Sequence, residues 1–132
     1  MKAQISMEYL AVLGIALLML LPLGMIVYNH INFSNTEVNN QQARLIAKKI
    51  VENAESVYYV GYPTKTTIRA YFPENLVNAT IYEKTILFIL EDGTYIEENS
   101  YVNLTGFLPN TSGTYEVQIQ ATQDQVNISY IK

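Results

Sequence analysis

The sequence predicts an α+β chain, in which a long hydrophobic and then amphipathic N-terminal helix forms a stem and a small antiparallel β-sheet forms a head. Three observations predict it. Tyr9 to Tyr28 contains no charged residue. Between Ala43 and Val57 apolar residues recur every three or four positions, the period of a helix packed on one side. After Pro63 the period falls to two, as in strands with one covered face.

The apolar segment "YLAVLGIALLMLLPLGMIVY" has 20 residues, which at helical rise span roughly 30 Å, the thickness of a bilayer core. Eleven of them are Leu, Ile or Val, each contributing about −0.3 to −0.6 kcal/mol to insertion. Gly14, Pro22 and Gly24 weaken that sum without cancelling it. A buried helix of a water-soluble core is the competing reading, but no other helix here covers so apolar a cylinder. A removable secretory signal has a shorter run followed by a small-x-small cleavage site, and "NHINFSN" supplies no such pair. Lys2 and the amino terminus carry the positive charge near the span, so the amino end belongs inside and everything after Tyr28 outside. Gly14 and Gly24 either permit close helix approach or are ordinary membrane-helix glycines. Pro22 either lets the stem bend or is a passive kink.

Beyond the span, Ser34 and Glu37 have capping-box spacing, where a helix begins or restarts. Ala43, Ile46 or Ala47, Ile50, Ala54 and Val57 form an apolar stripe. Arg44, Lys48, Glu52 and Glu55 form the opposite face, with Lys48 and Glu52 at ion-pair spacing. Gly61 and Pro63 end the helix. Either one rod runs through residues 29–36 or Asn29, Asn32 and Asn35 loosen a turn; the near-continuous rod is the favoured reading. The apolar stripe is expected to lie against the sheet.

In the head, Ile68, Ala70 and Phe72 alternate with Thr67, Arg69 and Tyr71. "KTILFILEDGTYIEE" reads as a hairpin turning at Asp92-Gly93. Val102 and Leu104 flank Asn103. Tyr115, Val117, Ile119 and Ala121 face one way, and after the "TQDQ" turn Val126, Ile128 and Tyr130 face the same core. This register sends Asn103 and Asn127 to solvent.

The composition excludes several classes of function. A net charge of −4 over 132 residues leaves no basic stripe for nucleic acid. The absence of cysteine excludes disulfides, zinc-thiolate sites and thiol catalysis. The single histidine, His30, forms no pair of metal ligands and sits at the membrane edge. Glu97-Glu98 and Glu91-Asp92 are either a cation site or solvated turn residues. No nucleophile–base pair is evident, so an enzyme is not expected; nor is a metal or cofactor. Asn-x-Ser/Thr sequons occur at Asn32, Asn78, Asn103, Asn110 and Asn127, an excess over chance for 12 asparagines. They mark either a glycosylated outer domain or an incidental feature of an Asn/Thr-rich sheet.

The lone acid Glu8 stands at the border of the apolar run, where a carboxylate is costly unless compensated. Its setting, "KAQISMEYL", has a basic residue, a small residue, then Gln-x-Ser-x-Glu-aromatic-Leu before the helix. It resembles the amino-terminal motif of archaeal type IV pilin-like proteins with a class III signal peptide. "IRAYFPENLVNATI" and "VNLTGFLPNTSGTYEVQIQATQDQVNISY" are also similar to that family, more loosely.

The resemblance implies a lollipop-shaped pilin. A prepilin peptidase would cut between Ala3 and Gln4, removing residues 1–3. Residues 4–60 would form the stem, with 9–28 the membrane span and later the filament core. Residues 61–132 would form the extracellular head. Glu8 would either neutralise the new α-amino group on Gln4 of a neighbouring copy or mark the membrane interface and pair with nothing. The implied partners are further copies of the chain in a helical filament, the peptidase, a pilus assembly ATPase and a membrane platform protein. The precursor would reside in the cell membrane with its amino terminus cytoplasmic, and the product would be a cell-surface filament for attachment. An archaellin of a swimming filament, a minor or initiator pilin, and a single-pass surface glycoprotein that never polymerises are the alternatives. Elementary electrostatics agrees with the pairing. Opposite charges a few ångströms apart in a poorly polarisable medium attract strongly, and a wrongly stepped stem leaves a carboxylate unpaired.

Overall fold

The computed structural model describes the backbone of residues 2–132 and the side chains of all of these except residues 2, 3 and 32–34. A long N-terminal helix is followed by a small, mainly antiparallel β region, the expected α+β arrangement. The helix, α1, is Lys2–Val60. Its backbone stays helical through residues 29–36, so no turn opens at the asparagines and no new helix starts at Ser34–Glu37. The physical reason is modest propensity: asparagine costs a helix well under about 1 kcal/mol per residue, too little to break a long ladder. The side chain of Ser34 lies outside the described residues. Pro22 sits inside α1 and brings no N–H for the ladder. The helix stops where Gly61 takes a φ of 93° and donates its N–H to the Val57 carbonyl at 3.1 Å.

The chain divides into two units, Met1–Asn35 and Thr36–Lys132. The amphipathic part of α1 thus groups with the strands, against which its apolar stripe is expected to lie. In the first unit the described side chains from Gln4 to Ile31 are all exposed.

Among the described residues, the second unit holds seven strands: β1 (Lys65–Phe72), β2 (Leu76–Tyr82), β3 (Thr85–Leu90), β4 (Tyr95–Asn99), β5 (Leu104–Gly106), β6 (Gly113–Ala121) and β7 (Val126–Ile131). They make two sheets, ordered β1-β6-β7-β5 and β2-β3-β4. All pairings are antiparallel except β5 with β7, which is parallel and departs from the expected antiparallel head. β5 lies beside β2, and the Leu104 N–H donates to the Glu83 carbonyl at 2.6 Å. The strands thus form one succession, β1-β6-β7-β5-β2-β3-β4, across the two sheets.

The core sits between the helix stripe and the inner sheet faces. Ala43, Ala47, Ile50, Val51, Ala54 and Val57 of α1 are buried with Ile68, Ala70 and Phe72 of β1 and Ile86, Phe88 and Leu90 of β3. Val117, Ile119, Ala121, Val126 and Ile128 close it. Burying the Val, Leu, Ile and Phe side chains among these contributes about 1.5–3 kcal/mol each. Phe72 packs obliquely on Phe88 and edge-on to Tyr115, both with ring centroids 5.8 Å apart. The expected alternation holds for these positions. Tyr130 is the exception: it is 41% exposed. Its ring instead meets Tyr115 edge-on at 5.5 Å.

Two glycines fix local geometry. The β3–β4 hairpin turns at Asp92-Gly93 as expected, with Gly93 at φ 80° and its N–H donating to the Leu90 carbonyl at 3.0 Å. Gly106 has φ 118°, and a Cβ there would lie 1.8 Å from the Ile128 carbonyl oxygen. The close passage of β5 over β7 therefore requires glycine.

Candidate assembly surfaces

The stem is the first candidate. The apolar part of α1 is long and apolar enough to cross a membrane, with none of its most apolar window buried. Side chains four apart share a helix face, so α1 places Gln4 and Glu8 on one side, a turn apart. Both are exposed. Among the described residues the one ion pair is Lys48–Glu52, at 3.8 Å, so Glu8 has no cationic partner there. The side chain of Ala3, on the other side of the expected cleavage, lies outside the described residues. Cβ atoms added at Gly14 and Gly24 would meet nothing within 4 Å. Those surfaces are open to whatever surrounds the stem.

The head carries the second set. Asn103, Asn110 and Asn127 are exposed, as expected for the first and last of them, while Asn78 is half-buried on β2. Asn110 Oδ1 accepts the Ala79 N–H at 3.4 Å. The side chain of Asn32 lies outside the described residues. The sequon residues described in the head thus sit on or beside β2, β5 and β7.

The carboxylates depart from their expected places. Glu55 is not on a solvated face. It is half-buried, and its Oε1 accepts the Ser100 hydroxyl at 3.2 Å and the Tyr101 N–H at 3.0 Å. The Glu at position 55 thereby ties α1 to the end of β4. Glu97 and Glu98 are not turn residues: they lie within β4, and neighbours on a strand point to opposite faces. They cannot converge on one cation. Asp92 does lie at the turn. Its Oδ2 accepts Asn40 Nδ2 at 2.9 Å and its Oδ1 the Thr94 N–H at 2.9 Å. The Asn40 bond, then that from Thr94, hold its carboxyl below the ordinary value. Asn75 Nδ2 donates to Asn40 Oδ1 at 3.2 Å, so this network ties α1 to the β3–β4 turn.

Sequence reasoning missed Asn40, Asn75, Glu55 and Ser100. Each acts through a partner at least 35 positions away, and local spacing carries no trace of such pairs. Among the described residues no group of three or more His, Asp or Glu could hold a metal ion. No family model matches the chain, and neither the curated proteins nor the solved structures provide a match.

Proposed function

We propose that the chain is a structural subunit of an archaeal type IV-like pilus, polymerising through its N-terminal helix after removal of residues 1–3. The observation that carries the reading is the stem from Gln4 to Ile31, exposed on every side and interrupted by one carboxylate a turn after Gln4. So large an apolar surface needs an apolar neighbourhood, which a bilayer supplies before assembly and other stems supply afterwards. Glu8 then selects the axial step. In the correct register its carboxylate meets the α-amino group of a neighbour's Gln4; one step off it stays unpaired in a poorly polarisable core. The subunit performs no reaction. A peptidase, an assembly ATPase and a membrane platform handle it, and exposed sequon asparagines carry the sugars of the outer surface.

The test is mass spectrometry of the native protein joined to electron microscopy of sheared surface material. A mature amino terminus at Gln4 in a chain recovered from filaments supports the reading. A chain that retains Met1, or is cut after Tyr28, overturns it. Glu8→Ala is expected to insert and be cleaved normally yet yield few filaments; abundant filaments from that variant would remove the pairing role. Isolated, uncut chains in the membrane would favour the lone anchored glycoprotein.

A further inference from the structure

The second unit has two unlike flanks on either side of the buried stripe of α1. At 3.6 residues per turn, Asn40 and Glu55 fall on one side of that stripe, and Gln42, Ile46 and Lys49 on the other. The first side meets the β3–β4 end, through Asn40–Asp92 and Glu55–Ser100. The second meets β1, leaving an apolar groove of about 260 Å³ whose lining includes Leu45, Ile46, Lys49, Arg69 and Tyr71. Leu45 is 67% exposed on this groove. Its charged rim is cationic, Lys49 and Arg69, with Glu116 opposite Arg69 in the β1–β6 register but not ion-paired to it among the described residues.

The other flank is aromatic and acidic. Tyr95, 65% exposed, and Glu97 share the outward face of β4, next to Glu91 and Asp92 of the turn. The stretch from Glu91 to Asn99 contains no basic residue. These two flanks stand at the two ends of the strand succession, β1 and β4. The sequons described in the head lie only on or beside its middle strands, β7, β5 and β2. Bulky sugars on the middle strands would leave both ends clear.

We infer that the β1 flank of one head receives the β4 flank of the next copy of this chain, with Tyr95 entering the Leu45–Tyr71 groove and Glu97 facing Lys49 and Arg69. Both halves of the charge complementarity belong to the same chain, which argues for a second copy rather than an unrelated partner. A contact between two different patches is heterologous, and when its rotation does not close into a ring it propagates as an open filament. The inference rests on the subunit reading, but the two fail separately.

The chain's lack of cysteine gives a clean test. Full-length Leu45→Cys with Tyr95→Cys, treated at the cell surface with a short thiol crosslinker, is expected to give a ladder of dimers, trimers and longer species. Each single cysteine variant is expected to give none. Adding Lys49→Glu should cut the ladder about tenfold, and adding Glu97→Lys to that should restore it. Filaments without a ladder overturn the head contact and leave the subunit reading standing. A ladder without filaments supports the contact and overturns the subunit reading. Dimers from either single variant, or no rescue by Glu97→Lys, overturn the contact as described.

Discussion

Two stretches of one helix use apolar residues in opposite ways. From Tyr9 to Tyr28, α1 is apolar all round and exposed all round. From Ala43 to Val57 it carries one narrow stripe, and that stripe is sealed by the chain's own strands. The first stretch depends on its amount of hydrophobicity, which calls for a medium outside the chain. The second depends on its pattern, which a single head satisfies. A helix whose apolar residues are confined to one stripe needs one partner; a uniformly apolar one needs surroundings.

Substitutions can break this contrast. The largest effect is expected at Gly106→Val, where a side chain meets the β7 backbone at a φ that favours glycine. The head should become protease-sensitive in detergent while the stem keeps its helical circular dichroism. Phe88→Ala should come next, lowering head stability by about 3–5 kcal/mol in denaturant titrations of the full chain. Ala47→Leu overfills the helix–sheet seam and should cost about 1–3 kcal/mol. Leu17→Ala, in the other stretch, should leave the head's Tm unchanged; a shift there would show that the two stretches are not independent. Glu55→Ala removes two hydrogen bonds to a carboxylate and leaves the buried Ser100 hydroxyl short of its acceptor, an expected loss of about 1–2 kcal/mol.

Among the head substitutions the smallest effect belongs to Asp92, whose carboxyl is exposed. Its value is depressed below 3.8, so its contribution is present above that pH and disappears as pH falls through the lowered value. The small Tm difference between the parent and Asp92→Ala should therefore vanish in strong acid. A difference that grows with acidity would contradict the Asn40 tie.

Much of this contrast was legible in the residues themselves. The charge-free run from Tyr9 and the Ala43–Val57 stripe are periodic or compositional signals, and strand alternation placed Ile68, Val117 and Ile128 in the core. The parallel β5–β7 pair was not legible, because it is fixed by Gly106 passing over Ile128, a meeting of distant segments. Glu55 was misplaced for a related reason: helical spacing gives its side of the cylinder but not the Ser100–Tyr101 loop that reaches it. On the candidate surfaces, the sequon exposures at Asn103 and Asn127 followed from register, while the groove beside β1 needs the packing of α1 to exist at all.

The seam between α1 and the sheets is lined by Ala43, Ala47 and Ala54, each with no exposed surface. Alanine has no rotamers to freeze, so closing the seam at these three positions sacrifices no side-chain freedom. The row also works as a key in a slot. Turning the helix by one residue would drive Arg44, Lys48 and Glu55 into the space the alanines fill. Rotation about the helix axis is thereby locked, and Leu45 and Lys49 are presented side by side as a consequence of three methyl groups on the far side.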